Sequence, residues 1–420
     1  MNKYQRRPPQ TNTLGNASPT AYKFEIRDLL VGAQMLFVAF GALVLVPILA
    51  GLDPNVALFT SGVGTLCFQL VTGGKVPVYL ASSFAFIAPV TASVEKYGLA
   101  ETLSGLAVAG ILYLVLSIII FWRGSEIIMR VLPAVVTGSV IMVIGLSLAP
   151  VAVEMASDAG EGYSAAIAIT IATVSLLTTM LAAILARGYL KLIAILFGII
   201  AGYIVSLPFG LVDFSAVARA PWLQVPSFTA PRFHLPAILF MLPVAIAPAI
   251  EHIGDVLAIS SVTQNNYLRD PGLHRTLLGD GLATTIAAFL GGPPNTTYSE
   301  VTGAVALTKA FNPGIMTWAA LTAIVLSFCG KLGAILQTIP VPVMGGILIV
   351  LFGTVVIIGM NSLMQARADL LQPRNIAVVG AILILGVGGM SISAGSFALE
   401  GIGLSSIVGV LLNLFLPRHK

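Results

Sequence analysis

Gly291-Gly-Pro-Pro-Asn-Thr-Thr-Tyr-Ser-Glu300 breaks an apolar run in the second half of the chain, and Lys75-Val-Pro-Val-Tyr-Leu-Ala-Ser-Ser-Phe-Ala-Phe86 breaks one in the first. Proline has no N–H and clashes with a continuing helix, and the residue before it avoids the helical region. The chain up to Pro77 and Pro294 is therefore expected to be extended. Each break leads into a short apolar helix, starting about Ser83 and about Ser299. Free N–H groups at two such starts offer hydrogen bonds and positive dipole ends to a ligand. A Gly-Pro kink in a packed helix is the alternative, but packing alone does not explain two breaks that both carry Ser or Thr.

Working outward, the two halves resemble each other. Met35-Leu36-x-Val38-Ala39 recurs as Met241-Leu242-x-Val244-Ala245, and Pro133 and Gly138 recur as Pro340 and Gly345. Between them Gly62, Thr65 and Gly73 match Gly281, Thr284 and Gly292 at a larger offset, and the polar stretch Ser261–Leu278 accounts for the difference. Matches among Gly, Ala and Leu are easy in this composition; their shared order is the better evidence.

Apolar residues make up 57% of the 420 and charged residues 9%. A soluble domain carries about 25% charged residues, and disordered chains are polar, so both classes are excluded. The charges mark segment ends: 24 uncharged residues separate Asp28 from Asp53, 21 separate Asp53 from Lys75 and 19 separate Lys75 from Glu95. Further uncharged stretches lie at 102–122, 131–153, 162–186, 192–212, 233–250, 281–299, 310–330, 332–366, 375–399 and 401–417. About 20 apolar residues cross a bilayer as a helix, and lipid-facing backbone must pair internally.

The expected fold is an all-α integral membrane protein of fourteen transmembrane segments, two of them short (76–94 and Asn295–Leu307). With the N-terminus inside, seventeen Lys and Arg fall on cytoplasmic loops, and Lys96, Arg219, Arg232 and Lys331 fall outside, the bias of a correctly oriented chain. An odd seven segments per half makes the second copy inverted. The expected layout is a polar cytoplasmic tail over 1–28, a first repeat over 29–212, an extracytoplasmic connector over 213–232, a second repeat over 233–417 and a short cytoplasmic tail over 418–420. Inverted repeats with interrupted helices are the architecture of secondary transporters, with the substrate at the breaks.

Fourteen of the seventeen acids sit at or near expected segment ends; Glu251, Asp255 and Glu300 do not. An ionisable group inside a span is a functional candidate. Glu251 and Asp255 are four apart, hence on one helix face. Two carboxylates that close do not easily both ionise, which suits a group that loads and releases a proton. His252 points about 100° from Glu251 and is a packing or hydrogen-bonding candidate as much as a ligand contact. Two alternatives stay open: a helix that ends near 250 would leave Asp255 wet, and Glu300 would serve as a cap at a half-helix start.

Other chemistries find no support. His234, His252, His274 and His419 lie in unrelated segments, and no HExxH, GxSxG or phosphate-binding loop occurs. An enzyme, an ATP-driven pump and a bound cofactor or metal are therefore not expected. Cys67 and Cys329 alone build neither a disulfide framework nor a zinc site. The net charge of +4 is spread singly rather than on one face, against nucleic-acid binding. No apolar leader segment is evident in Met1–Thr20.

At Gly41-Ala-Leu-Val-Leu-Val-Pro47, Ala81-Ser-Ser-Phe-Ala-Phe86, Glu251-His-Ile-Gly254, Leu268-Arg-Asp-Pro-Gly-Leu-His-Arg275, Pro294-Asn-Thr-Thr-Tyr-Ser-Glu300 and the run Glu300-Val-Thr-Gly-Ala-Val-Ala-Leu-Thr-Lys309, the chain resembles the nucleobase–ascorbate transporter family, most closely its bacterial uracil permeases. The likeness runs from about Leu29 to Pro417. It implies core and gate domains, a homodimer, and proton-coupled uptake of a nucleobase across the cytoplasmic (inner) membrane, with both termini cytoplasmic. Carried over by position, Glu251 and Glu300 would hold the base, the backbone at Ser299 and near Phe84 would bond to it, and Ala42, Tyr298 and Ser83 would complete the pocket. Proton coupling would fall to Asp255 with Glu251 and His252; sodium is the alternative ion, since carboxylates serve either.

Uracil fits such a site: its N–H donors meet carboxylates and its carbonyls meet half-helix N–H groups. Two positions depart from the family pattern. Asp255 stands where uracil permeases often carry His, and Val301 replaces the signature Asn. Three rival readings remain: a xanthine or purine symporter of the same family, an anion carrier of the related inverted-repeat fold, and a channel.

Overall fold

The computed structural model describes residues 20–124, 131–160, 162–394 and 397–417. The expected N-terminal tail is therefore seen only from Thr20, and the expected tail 418–420 lies outside the described residues. In the first half the helices are α1 (Leu29–Leu49), α2 (Pro54–Thr72), α3 (Ile87–Tyr97), α4 (Leu99–Arg123), α5 (Ala134–Ser147), α6 (Ala149–Ser157), α7 (Ala165–Leu185), α8 (Ala194–Ser206) and the short α9 (Ser215–Arg219). In the second they are α10 (Leu235–Met241), α11 (Ile246–Thr263), α12 (Leu273–Phe289), α13 (Ser299–Thr308), α14 (Gly314–Ser327), α15 (Gly330–Gln337), α16 (Val341–Gln365), α17 (Pro373–Val387) and α18 (Gly401–Phe415). Among the described residues four short strands interrupt them: β1 (Leu80–Ser82), β2 (Asn295–Thr297), β3 (Ser391–Ala394) and β4 (Phe397–Glu400).

Local chemistry sets these bounds. Helix α2 starts with Pro54 behind Asp53, whose carboxylate accepts the Asn55 N–H at 2.8 Å, and stops at left-handed Gly73, a cap at each end. Among the described residues six helices are long and apolar enough to cross a membrane, and a seventh is counted if α10 and α11, bent by 41°, form one span. Shorter apolar helices occur at Ala194–Phe209, Gly314–Ser327, Pro373–Val387 and Gly401–Phe415.

The structure subdivides several of the uncharged stretches. Stretch 131–153 holds α5 and most of α6, 332–366 breaks at Pro340, and 375–399 leaves the helix at Val387 for the β3–β4 hairpin. Charge spacing marks where chain meets water; it is blind to proline and glycine breaks between charges. The stretch Ser261–Leu278 is likewise more than an insertion: it contains the end of α11, the turn Leu268–Gly272 and the first turns of α12.

Without a hydrophobic drive between helices in lipid, close approach depends on small residues. A Cβ on Gly110 would meet Gly281 O at 2.7 Å, and one on Gly281 would meet Gly110 O at 2.8 Å, so α4 and α12 touch backbone to backbone. Gly62 does the same for α2 and α14, where a Cβ would meet Ala320 O at 2.6 Å. The matched glycines thus do matched work. So do the matched threonines: Thr65 Oγ1 accepts from Leu80 N at 3.0 Å, and Thr284 Oγ1 donates to Asn295 O at 2.6 Å, each tying its helix to one of the first two strands.

The loops sort onto two faces. On one, Lys75 pairs with Asp270 at 2.5 Å, Asn312 bonds the backbone of Lys23 at 2.8 and 2.9 Å, and Trp318 Nε1 donates to Glu25 O at 2.9 Å. On the other, Ser227 N donates to Asp53 at 3.3 Å, Arg232 N to Ala100 O at 2.8 Å and Lys331 Nζ to Val217 O at 2.6 Å.

Candidate functional site

Between the two faces the extended chain ahead of each short helix pairs with its counterpart. Strands β1 and β2 run antiparallel with Leu80 opposite Thr297, Ala81 opposite Thr296 and Ser82 opposite Asn295. Ser83 N donates to Pro294 O at 2.9 Å beyond the ladder. Non-helical backbone at this depth survives only where its polar groups are satisfied. Neighbouring helices supply the partners: Ser61 Oγ donates to Leu80 O at 2.5 Å, Gln69 Nε2 to Val76 O at 2.9 Å, and Asn295 Nδ2 to Thr60 O at 3.0 Å.

Two half-helices leave this crossing in opposite directions. One begins with a 3₁₀ turn, Phe84–Phe86, and continues as α3 toward the Arg232 face; the other, α13, begins at Ser299 and ends at Lys309 beside the Asn312 face. The regular first helix thus starts at Ile87 rather than about Ser83, because a tighter turn intervenes after the strand. The second starts at Ser299 as the sequence indicates.

Helix α11 presents its acids to the crossing. Asp255 is buried, not at a wet helix end; Thr297 Oγ1 donates to its Oδ2 at 2.9 Å and Ser299 Oγ donates to its Oδ1. Glu251, one turn earlier, lies within electrostatic reach of Asp255, Glu300 and Asp280, and its buried Oε2 has no hydrogen-bond partner among the described residues. Glu300 sits in the first turn of α13, half-buried. Three carboxylates therefore gather at one half-helix start.

Aromatic groups and hydroxyls close the surround. Phe84 tilts against Tyr298 at 6.1 Å between ring centroids and meets Phe352 of α16 edge-on, also at 6.1 Å. Tyr298 is buried against the backbone of Ala42, itself fully buried in α1. The oxygens of Tyr298, Ser83 and Thr302 are buried without partners among the described residues. Buried polar atoms are ordinarily paired, so open oxygens at the two half-helix starts and on Glu251 suit a polar ligand. Val301 is packed in the apolar core.

His252 meets the site through Thr297, the hydroxyl that also bonds Asp255. It is fully buried, with Nε2 3.1 Å from Thr276 Oγ1 and Nδ1 3.3 Å from Thr297 Oγ1. Its Nδ1 is also 3.6 Å from Oδ2 of Asp280. Asp280 corrects the sequence reading, which placed it at a segment end: it lies within α12, fully buried, and neither carboxylate oxygen has a hydrogen-bond partner among the described residues. The signal was available. The offset that matches Gly62 to Gly281 matches Ser61 to Asp280, and Ser61 stands inside α2 facing the first strand. No cluster of three or more His, Cys, Asp or Glu suited to a metal occurs among the described residues.

A family model described as "Permease family" matches residues 27–395. The chain belongs to the nucleobase–ascorbate transporter family. This family member is 53% identical over 396 residues to a protein named "Probable uracil permease" from Haemophilus influenzae, covering 94% of this chain and 96% of that one. It is 46% identical over 391 residues to the "Uracil permease" of Bacillus caldolyticus, covering 91% and 90%. Among solved structures, the transmembrane domain of a cyanobacterium bicarbonate transporter, BicA, superposes with a TM-score of 0.63 over 94% of this chain and 100% of that one. At 16% identity that likeness is one of fold. The family member is thus a multi-pass membrane protein, a permease and not an enzyme.

Proposed function

We propose that this chain is a proton-coupled uracil symporter that takes its substrate up across the cytoplasmic (inner) membrane by alternating access. The observation that carries this is the meeting of Glu251, Asp255 and Glu300 at the start of α13, opposite the start of the other half-helix. Uracil is flat and alternates N–H donors with carbonyl acceptors; carboxylates at one edge and free backbone N–H groups at another match that alternation. Phe84 and Tyr298 offer aromatic faces to its ring. The permeases of 46–53% identity carry uracil in their names.

Fourteen segments in two inverted repeats over 29–212 and 233–417 remain the reading of the topology, with 213–232 as the extracytoplasmic connector and both termini cytoplasmic. The half-helices α3 and α13 count as one segment each. The carboxylates and half-helix starts form the core; α5 to α8 and α16 to α18 form the gate, and two chains form a homodimer. In this scheme Glu251 and Glu300 bind the base, and Asp255 couples its movement to a proton through the hydroxyls of Thr297 and Ser299.

Reconstituted in proteoliposomes, the protein should accumulate labelled uracil under an inward proton gradient and lose that uptake to a protonophore. Uptake driven by sodium at equal internal and external pH would replace the proton with sodium. Displacement of the label by xanthine or urate rather than uracil would move the substrate to the purine branch.

A further inference from the structure

Behind Asp255 lies a second titratable pair with no part in holding the base: His252 of α11 and Asp280 of α12, both fully buried. Thr276 Oγ1 donates to Leu273 O at 3.1 Å, so it accepts from His252 Nε2, 3.1 Å away. A neutral histidine that donates from one ring nitrogen keeps the other as an acceptor. Nδ1 is therefore the bare nitrogen, and it faces Thr297 Oγ1 at 3.3 Å and Asp280 Oδ2 at 3.6 Å. Thr297 is the hydroxyl that donates to Asp255. The imidazole thus stands between the carboxylate at the half-helix start and one with no hydrogen bond among the described residues.

The surroundings suit a proton held there. Phe68 of α2 meets the His252 ring edge-on at 6.4 Å between centroids and packs on Gly279, where a Cβ would lie 2.8 Å from its ring. From α4 comes Tyr113, whose buried hydroxyl has no partner among the described residues and lies within electrostatic reach of Asp280 and Glu251. Asp255 is within the same reach of Asp280. An imidazolium is the cation that these acids otherwise lack, and a buried charge needs a partner. The contacts also have a direction. From Asp255 through Thr297 and His252 they lead to Thr276, in the first turn of α12, beside the turn Leu268–Gly272 whose Asp270 pairs with Lys75. That face is cytoplasmic in the topology proposed above.

We propose that His252 and Asp280 form a proton-holding pair that takes the coupling proton from Asp255 on its way inward. A proton on Asp255 passes to the Thr297 oxygen as that hydroxyl gives its own hydrogen to Nδ1 of His252. Asp255 is left a carboxylate, and the imidazole becomes an imidazolium beside Asp280. Chains of acids and histidines inside membrane spans serve as proton relays. The proposal rests on the proton-coupled reading above.

The test follows protons and uracil separately, with the full chain in proteoliposomes that hold a trapped pH dye. The wild type should acidify the lumen as uracil enters. His252→Gln retains a donor for Thr276 but cannot take the proton. It should keep exchange of labelled for unlabelled uracil within about threefold, while uracil-driven proton entry falls at least about tenfold. Asp280→Asn should do the same, Asp280→Glu should recover proton entry in part, and the double variant should be no worse than either single one, as for groups that act as a unit. Thr276→Val keeps both titratable groups and serves if the other variants fail to insert; it should slow proton entry at least about threefold, and Thr276→Ser should restore it. The pair is overturned if His252→Gln or Thr276→Val carries protons with uracil at the wild-type rate. It is equally overturned if exchange falls as far as proton entry, the result of a packing role. A wild type that moves uracil with no proton entry removes the coupling reading itself, and the pair with it.

Discussion

Thr297 Oγ1 donates to Asp255 Oδ2 at 2.9 Å and so fastens helix α11 to strand β2 at the residue before Tyr298. The carboxylate is therefore held by the same chain segment that opens the second half-helix. A hydroxyl both donates and accepts, so this contact outlasts the loss of the carboxylate charge. Asp255→Asn should keep uracil binding within about threefold, ~0.7 kcal/mol. It should also keep exchange of labelled for unlabelled uracil, while accumulation under a proton gradient disappears. Normal accumulation by the variant would remove Asp255 from the coupling step.

Glu251 and Glu300 differ from Asp255 in that Glu251 keeps an unpartnered buried oxygen and Glu300 stands at the mouth of a half-helix. A charged hydrogen bond to a ligand contributes about 1.5–3 kcal/mol. Glu251→Gln should therefore weaken uracil binding at least about tenfold and abolish uptake, with Glu300→Gln close behind. The membrane fraction should hold wild-type amounts of both. Wild-type affinity in either variant would remove that residue from the substrate contact.

Asp280 is fully buried, with neither oxygen in a hydrogen bond among the described residues and only His252 Nδ1, 3.6 Å from Oδ2, beside it, and burying a carboxylate with so little compensation opposes folding. A residue kept on those terms serves function. Asp280→Asn should leave the melting temperature unchanged or raise it, while uptake falls at least about tenfold. A variant that transports normally would reduce Asp280 to a structural role.

The α4–α12 contact is set by backbone touching backbone at Gly110 and Gly281. Gly281→Leu has no flexible neighbour to displace and should destabilise the protein by at least the ~1–3 kcal/mol of an overpacked core. Thermal unfolding in detergent measures this. An unshifted transition would mean that α4 and α12 can separate without loss.

Much of this was legible in one dimension. Prolines at 77 and 294 stop helices by local sterics, so the extended segments that became β1 and β2 could be read without coordinates, as could the shared face of Glu251 and Asp255 from their four-residue spacing. Asp280 was misplaced because a charge was taken as a boundary, when it is buried between helices that contain it. The internal repeat held the remedy, since the position before a matched glycine belongs inside the same helix.

Hydropathy, proline breaks and helical spacing act over a few residues, and they alone determined that the chain is a helical membrane protein with two breaks and a pair of acids on one face. Which groups meet was decided by folding: Asp255 with Ser299 and Thr297, His252 with Asp280, Phe84 with Phe352, at separations of 28 to 268 residues. Those encounters depend on how closely glycine-bearing helices approach and which strand lies opposite which, and neither is encoded in the local periodicity of any single segment.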